Sequence, residues 1–141
     1  MGFIIDSITM TVYPTSKKIE KIIHTCQGLL QCPHPTIREE ASTLGLLISN
    51  FLAAKQGPLH FRSPDMDKTE ALRLNKGNFD AFMQLSELSR SDLQWWVNSA
   101  GSLHNPISLP QLEMTLYTDA SKEGWGGVLN NVKTGGHWTP E

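Results

Sequence analysis

Leu116-Tyr117-Thr118-Asp119-Ala120-Ser121, followed by Gly124-Trp125-Gly126-Gly127-Val128-Leu129, is the stretch that decides how this chain is read. Leu112, Met114 and Leu116 alternate with Glu113, Thr115 and Tyr117, a period of two that predicts a strand with Asp119 at its end. The glycine-rich run predicts a second strand, Asn130-Asn131 a turn, and Gly136-His137-Trp138-Thr139 a third strand. A carboxylate at the end of such a strand is exposed on a rigid support, where a divalent-metal ligand for phosphodiester chemistry belongs. Asp119 as a turn former is the plainer alternative. An aspartic protease is disfavoured, because that motif continues with Thr or Ser and then Gly, whereas Ala120-Ser121 follows here and no second copy occurs.

Upstream of this stretch the pattern is mixed. Phe3-Ile4-Ile5 and Ile8 to Tyr13 read as a hairpin turning at Asp6-Ser7, and Pro14 stops it. Ile19, Ile22, Ile23, Cys26, Leu29 and Leu30 recur at helical spacing from Lys17 to about Gln31, with Lys17, Lys18, Lys21 and Thr25 on the other side. Pro33 and Pro35 break that helix. Thr36 and Glu39 then form a capping box for a second one, with Ile37, Ala41, Leu44, Ile48 and Phe51 as its buried stripe. Ser63-Pro64 opens a third helix that runs to about Lys76, stopped by Gly77. Residues 78–88 are ambiguous between loop and helix. Ser89 and Asp92 resemble a second capping box, before the stripe Leu93, Trp96, Val97, Ala100. Ser102 to Gln111 reads as a linker. The expected class is α+β: an N-terminal β-hairpin, a helical middle and a small C-terminal sheet.

Composition limits the function without naming it. Of 141 residues, 18% are charged and 39% apolar, which makes the chain globular rather than disordered. The 12 Lys+Arg and 14 Asp+Glu leave a net charge of −2, which argues against a free-standing nucleic-acid binder with a broad basic face. The longest apolar runs, around Leu44–Ile48 and Phe51–Ala54, fall far short of the roughly 20 residues of a membrane span. Met1-Gly2-Phe3-Ile4-Ile5-Asp6 lacks signal-peptide grammar, and two cysteines make no disulfide framework. An intracellular setting, cytoplasmic or nuclear rather than secreted, is therefore expected, with no membrane partner.

Three other groups carry candidate chemistry. His24, Cys26, Cys32 and His34 lie within eleven residues, but their spacing does not fit paired zinc ligands across a long loop. Cys26 falls on the apolar stripe, so a core cysteine is the favoured reading. Asp65 and Asp67 suit the first turn of a helix, where acidic residues interact favourably with the dipole. Lys17, Lys18 and Lys21 form the one concentrated positive patch, able to track a phosphate backbone or to serve as a solvated helix face.

Thr118-Asp119-Ala120-Ser121, Gly124-Trp125-Gly126 and Gly135-Gly136-His137-Trp138-Thr139 together resemble the opening of a retroelement ribonuclease H domain. The similarity is closest to reverse transcriptases of tyrosine-recombinase (DIRS-like) retrotransposons, and it runs upstream in collinear order. Gly2 to Ser7 with Met10-Thr11-Val12 looks like the last palm hairpin. Lys18-Ile19 onward and Thr36 to Leu47 look like thumb helices, and Gly57 to Arg62 with Leu93-Gln94-Trp95-Trp96 look like the connection. The resemblance implies a palm tail and thumb over 1–56, a connection over 57–110 and a truncated ribonuclease H start over 111–141.

That resemblance implies an RNA-directed DNA polymerase with ribonuclease H as the parent enzyme, using Mg²⁺ or Mn²⁺, and a template–primer or RNA–DNA hybrid as partner. Asp119 matches the first ribonuclease H metal ligand, and Lys17, Lys18 and Lys21 become candidate phosphate contacts. The polymerase Asp-Asp pair is absent from this sequence. Ribonuclease H chemistry takes about four carboxylates around two metals roughly 4 Å apart, and only Asp119 matches one of them with assurance. The expectation is a fragment that binds template–primer, holds no metal alone and is not catalytic by itself. It would contact the missing palm and the remainder of ribonuclease H. The competing expectations are a domesticated nucleic-acid-binding or interaction module, and a decayed copy. Trp96 is expected in the core, and Trp95 against a neighbouring element rather than on a base.

Overall fold

The computed structural model describes residues 2–107 and 114–139, and the chain divides into two units, Met1–Ser108 and Leu109–Glu141. Among the described residues there are four α-helices and two three-stranded antiparallel sheets, so the class is mixed α and β. No helix among them is long and apolar enough to cross a membrane.

The first unit opens with a hairpin of β1 (Phe3–Asp6) and β2 (Thr11–Pro14), in register Phe3↔Pro14 to Asp6↔Thr11. Its turn is longer than expected and covers residues 7–10. Asp6 Oδ1 accepts hydrogen bonds from the amides of Ile8 (2.8 Å) and Thr9 (3.1 Å), and hydrogen bonding by the Thr9 side chain together with these amides holds its carboxyl below the usual carboxylate range. A short third strand, β3 (Asn105–Pro106), pairs with β2 at the sheet edge, within the segment expected to be a linker. Pro106 is tolerated there because an edge strand need not donate on its outer side.

Helix α1 (Ser16–Gln31) follows the predicted span, but its buried face is Lys18, Ile22, Cys26 and Leu29. Lys18, expected on the solvent side, is therefore corrected to the inner face. Helix α2 (Ile37–Ile48) starts with the predicted capping box: Thr36 N donates to Glu39 Oε2 (2.7 Å) and Glu39 N to Thr36 Oγ1 (3.2 Å). Its buried stripe differs from the expected one. Ile37, Glu40, Thr43, Leu44 and Leu47 face inward while Ile48 is exposed, and Phe51 belongs to a separate 3-10 turn, Phe51–Ala53. Helix α3 (Arg62–Leu74) stops where Lys76 and Gly77 enter the left-handed region, and the Gly77 amide donates to Leu72 O (2.8 Å).

Residues 78–85 form neither a helix nor a free loop. They lie along the start of α2, where Ile37 N donates to Ala81 O, Arg38 N to Phe79 O and Met83 N to Pro35 O. Helix α4 (Glu87–Ser99) begins earlier than predicted, with Ser86 as its cap accepting from Ser89 N (3.2 Å). Ser89 is instead a buried helical residue whose hydroxyl donates to Asp67 Oδ2 (2.6 Å). Asp67 also accepts from Ser86 N (2.7 Å), so it ties α3 to the start of α4 in addition to any dipole interaction.

The core joins both halves of this unit: Ile22 and Cys26 of α1, Ile37 and Leu47 of α2, Leu93 and Trp96 of α4, and Ala100 just after it. Residues 1–56 and 57–110, read from the sequence as separate segments, thus contribute to one core. Trp96 is completely buried and its Nε1 donates to His60 O (2.9 Å). Gly57 lies against its ring edge, where an added Cβ would come 2.7 Å from Cη2. Gly57→Ala is expected to cost about 1–3 kcal/mol through overpacking, read as a lower urea midpoint at unchanged slope.

Glu40 is fully buried, and neither carboxylate oxygen has a hydrogen-bond partner. Burial, with a contribution from Asp67 and opposed by Lys68, pushes its carboxyl up from 4.5 to about 8. The folded protein therefore binds a proton that the unfolded chain has released, and stability falls as pH rises from about 4.5 to about 8. Glu40→Met should flatten that fall and gain on the order of 3 kcal/mol at pH 8, in urea melts across pH. A wild-type profile flat over this range would contradict the assignment.

The second unit is a meander of β4 (Leu116–Ala120), β5 (Gly124–Leu129) and β6 (Val132–His137). The two-residue turn Asn130-Asn131, with Asn130 at φ 43°, folds β6 straight back onto β5. The third strand therefore starts at Val132, earlier than predicted, and Trp138-Thr139 lie beyond it. The predicted strand start at Leu112-Glu113, and Glu141, lie outside the described residues.

Candidate functional site

Asp119 sits on β4, one residue inside the strand end, with an exposed side chain. Its Oδ1 accepts from the Ala120 amide at 2.8 Å. The register places Gly126 of β5 directly opposite it and Gly135 of β6 in the same row, so two strands beside the carboxylate carry no side chain. That leaves backbone open to close approach by another molecule. Gly135 is also required by the sheet itself, since a Cβ there would meet Trp125 O at 2.7 Å.

The turn after β4 is built by Ser121, whose Oγ accepts from Glu123 N (3.2 Å) and Gly124 N (3.3 Å). Trp138 Nε1 donates to Ser121 O (2.8 Å), which pins the end of the chain's last strand to this turn. Asp119, Ser121, Glu123, Trp125 and His137 line an open cleft of about 560 Å³. Among the described residues no group of three or more His, Cys, Asp or Glu is placed to hold a metal ion. The described residues therefore do not make a two-metal centre. What the site offers is two exposed carboxylates, Asp119 on the strand and Glu123 on the turn, beside a bare strip of backbone. Leu116, Tyr117, Trp125 and Val132 are all exposed on this sheet.

The lysine patch divides in two. Lys17 and Lys21, one turn apart on α1, are exposed as expected. Lys18 points inward and is 7% exposed. Its Nζ lies 4.2 Å from the Phe3 ring centroid, 3.3 Å from Asn50 Oδ1 and 3.5 Å from Ser49 O. It anchors the hairpin and the end of α2 to α1, so in this conformation it does not join the exposed phosphate-tracking face.

Cys26 is buried in the core, as read from the stripe. Burial, reinforced by Glu40, pushes its thiol up to about 12, so it stays protonated and unreactive. His24 and His34 are exposed and Cys32 is half-buried.

A pair that sequence reasoning missed lies at the start of α3. His60 Nδ1 is 2.9 Å from Asp92 Oδ1, and the imidazole stacks on Trp95 at 4.1 Å between ring centres. Trp95 thus packs on a neighbouring element, as expected. Nothing in the spacing of His60 and Asp92, 32 residues apart, signals this contact.

Neither a protein-family profile, nor a curated protein, nor a solved structure matches this chain.

Proposed function

We propose that this chain is a template–primer-binding part of a retroelement reverse transcriptase with ribonuclease H, related to the DIRS-like enzymes, and not catalytic by itself. The observation that carries the reading is the β4–β5–β6 meander with Asp119 on its first strand beside Gly126 and Gly135. A ribonuclease H opening calls for a strand-borne carboxylate of this kind. The hairpin β1–β2 leading into the α1–α2 pair agrees with a palm tail and thumb, and the Trp95-Trp96 helix with a connection. Lys17 and Lys21 are the exposed cations that would follow a phosphate backbone. Mg²⁺ or Mn²⁺ would belong to the intact parent enzyme, with Asp119 as one of its ligands. The setting that follows is intracellular.

Binding of a labelled RNA–DNA hybrid, followed by fluorescence anisotropy at several salt concentrations, tests the proposal. Affinity should fall with salt, and Lys17→Ala/Lys21→Ala should weaken it and lower the magnitude of the log–log slope by about 2. No binding at low salt, or a slope that ignores both lysines, would sink it. Incubation with Mg²⁺ or Mn²⁺ should leave the hybrid intact. Cleavage that Asp119→Asn abolishes would overturn the non-catalytic part of the reading.

A further inference from the structure

We infer that the cleft between α1 and α2 is a discrete seat for one phosphate group. Lys18, Lys21, Thr25, Ser42, Leu46 and Ser49 line this cleft of about 260 Å³. Two lysines and three hydroxyl-bearing residues thus line it, and no acidic residue does.

The decisive feature is the Lys18 ammonium. Lys18 as a residue is more than nine-tenths buried, yet among the described residues no carboxylate pairs with its ammonium. Its hydrogen bonds, 3.3 Å to Asn50 Oδ1 and 3.5 Å to Ser49 O, are long for a charged donor, which ordinarily sits at about 2.7–2.9 Å. Neutral oxygens and the Phe3 ring solvate the charge without neutralising it. Burying an uncompensated cation costs several kcal/mol, and a bound anion offsets that cost. Few anions suit the rest of the cleft as well as phosphate does. Its oxygens can accept from two ammonium groups and from the Thr25 and Ser42 hydroxyls, whereas Ser49 Oγ already donates to Leu46 O (2.7 Å). Asn50 Nδ2 already donates to Leu46 O (2.7 Å), which orients its carbonyl oxygen toward Lys18 and keeps the ammonium at the cleft wall.

The seat differs from the exposed lysine face in kind. An exposed face gives sequence-independent, salt-screened attraction, whereas a buried lysine in a cleft that also carries Thr25 and Ser42 can recognise one tetrahedral group at a fixed place. The seat shares Lys21 with that face but rests on the chemistry of the cleft and not on the nucleic-acid reading. The phosphate could come from a backbone phosphodiester or from a free phosphorylated small molecule.

The test is an amide-resolved NMR titration of the full chain with inorganic phosphate, against sodium chloride at matched ionic strength. Phosphate should produce saturable shifts at Thr25, Ser42 and Ser49 that chloride does not. Lys21→Met, at an exposed position, should weaken that binding about tenfold, and Lys18→Met, of similar volume, should weaken it at least as much. Shifts that do not saturate, that spread equally to Lys55 and Lys133, or that ignore Lys21→Met would overturn the site. A short RNA–DNA hybrid separates the sources. If it moves the same three amides and phosphate reverses the change, the group is a backbone phosphate. If phosphate saturates the site while the hybrid leaves those amides unmoved, the ligand is a free phosphorylated molecule, and the seat still holds.

Discussion

The first unit depends on the burial of one indole. Trp96 stacks against Phe51 at 6.3 Å, meets Trp95 edge-on at 5.3 Å, and closes its only polar atom on His60 O. Removing so large a side chain from a core costs about 3–5 kcal/mol, a large share of a typical domain's stability. Phe51 follows α2 and His60 precedes α3, so a single residue of α4 draws three parts of the chain together. The requirement for glycine at position 57 follows from the same contact, because the ring fills the space that a Cβ would need. Trp95, half-buried beside it, stacks on His60, whose imidazole is held by Asp92. The adjacent tryptophans thus fasten both sides of one segment.

Local signals in the sequence translated well where a single short-range interaction governs the structure. The Thr36–Glu39 capping box, the span of α1 and the Gly77 stop each depend on neighbours within about one or two helical turns. The errors arose where a distant partner decides. Ser86 prevails over Ser89 as the α4 cap because Asp67, on another helix, takes the Ser89 hydroxyl and the Ser86 amide. The α2 stripe turns toward Glu40 and away from Ile48, and the α1 stripe takes in Lys18. Charged residues on a buried face break the apolar period on which such readings rest. Asn105-Pro106 looks like linker sequence, yet β2 offers an edge on which it pairs.

The candidate site was legible in part. Asp119 on a strand, followed by glycines and a second strand, is a pattern of period and composition, and the described strands follow it. Its open surroundings were not legible, because they depend on register: Asp119 faces Gly126, and Gly126 faces Gly135. The division of the lysines was equally hidden. Lys17, Lys18 and Lys21 are alike in sequence, and only the packing of Phe3, Ser49 and Asn50 around Lys18 sets it apart. On the first unit α1 presents an exposed cationic face, which shares Lys21 with the cleft between α1 and α2. The second unit carries an exposed carboxylate on a sheet with exposed apolar side chains.

Hydrogen exchange with and without an RNA–DNA hybrid tests the central claim, that the packed helices present α1 to a phosphate backbone, most directly. Without hybrid, amides in α2 and α4 should exchange slowest and those of β4 much faster. Added hybrid should slow exchange in α1 around Lys17 to Lys21 and leave the α4 core amides unchanged. A hybrid that alters no α1 amide, under conditions where the helices are fully protected, would contradict the account.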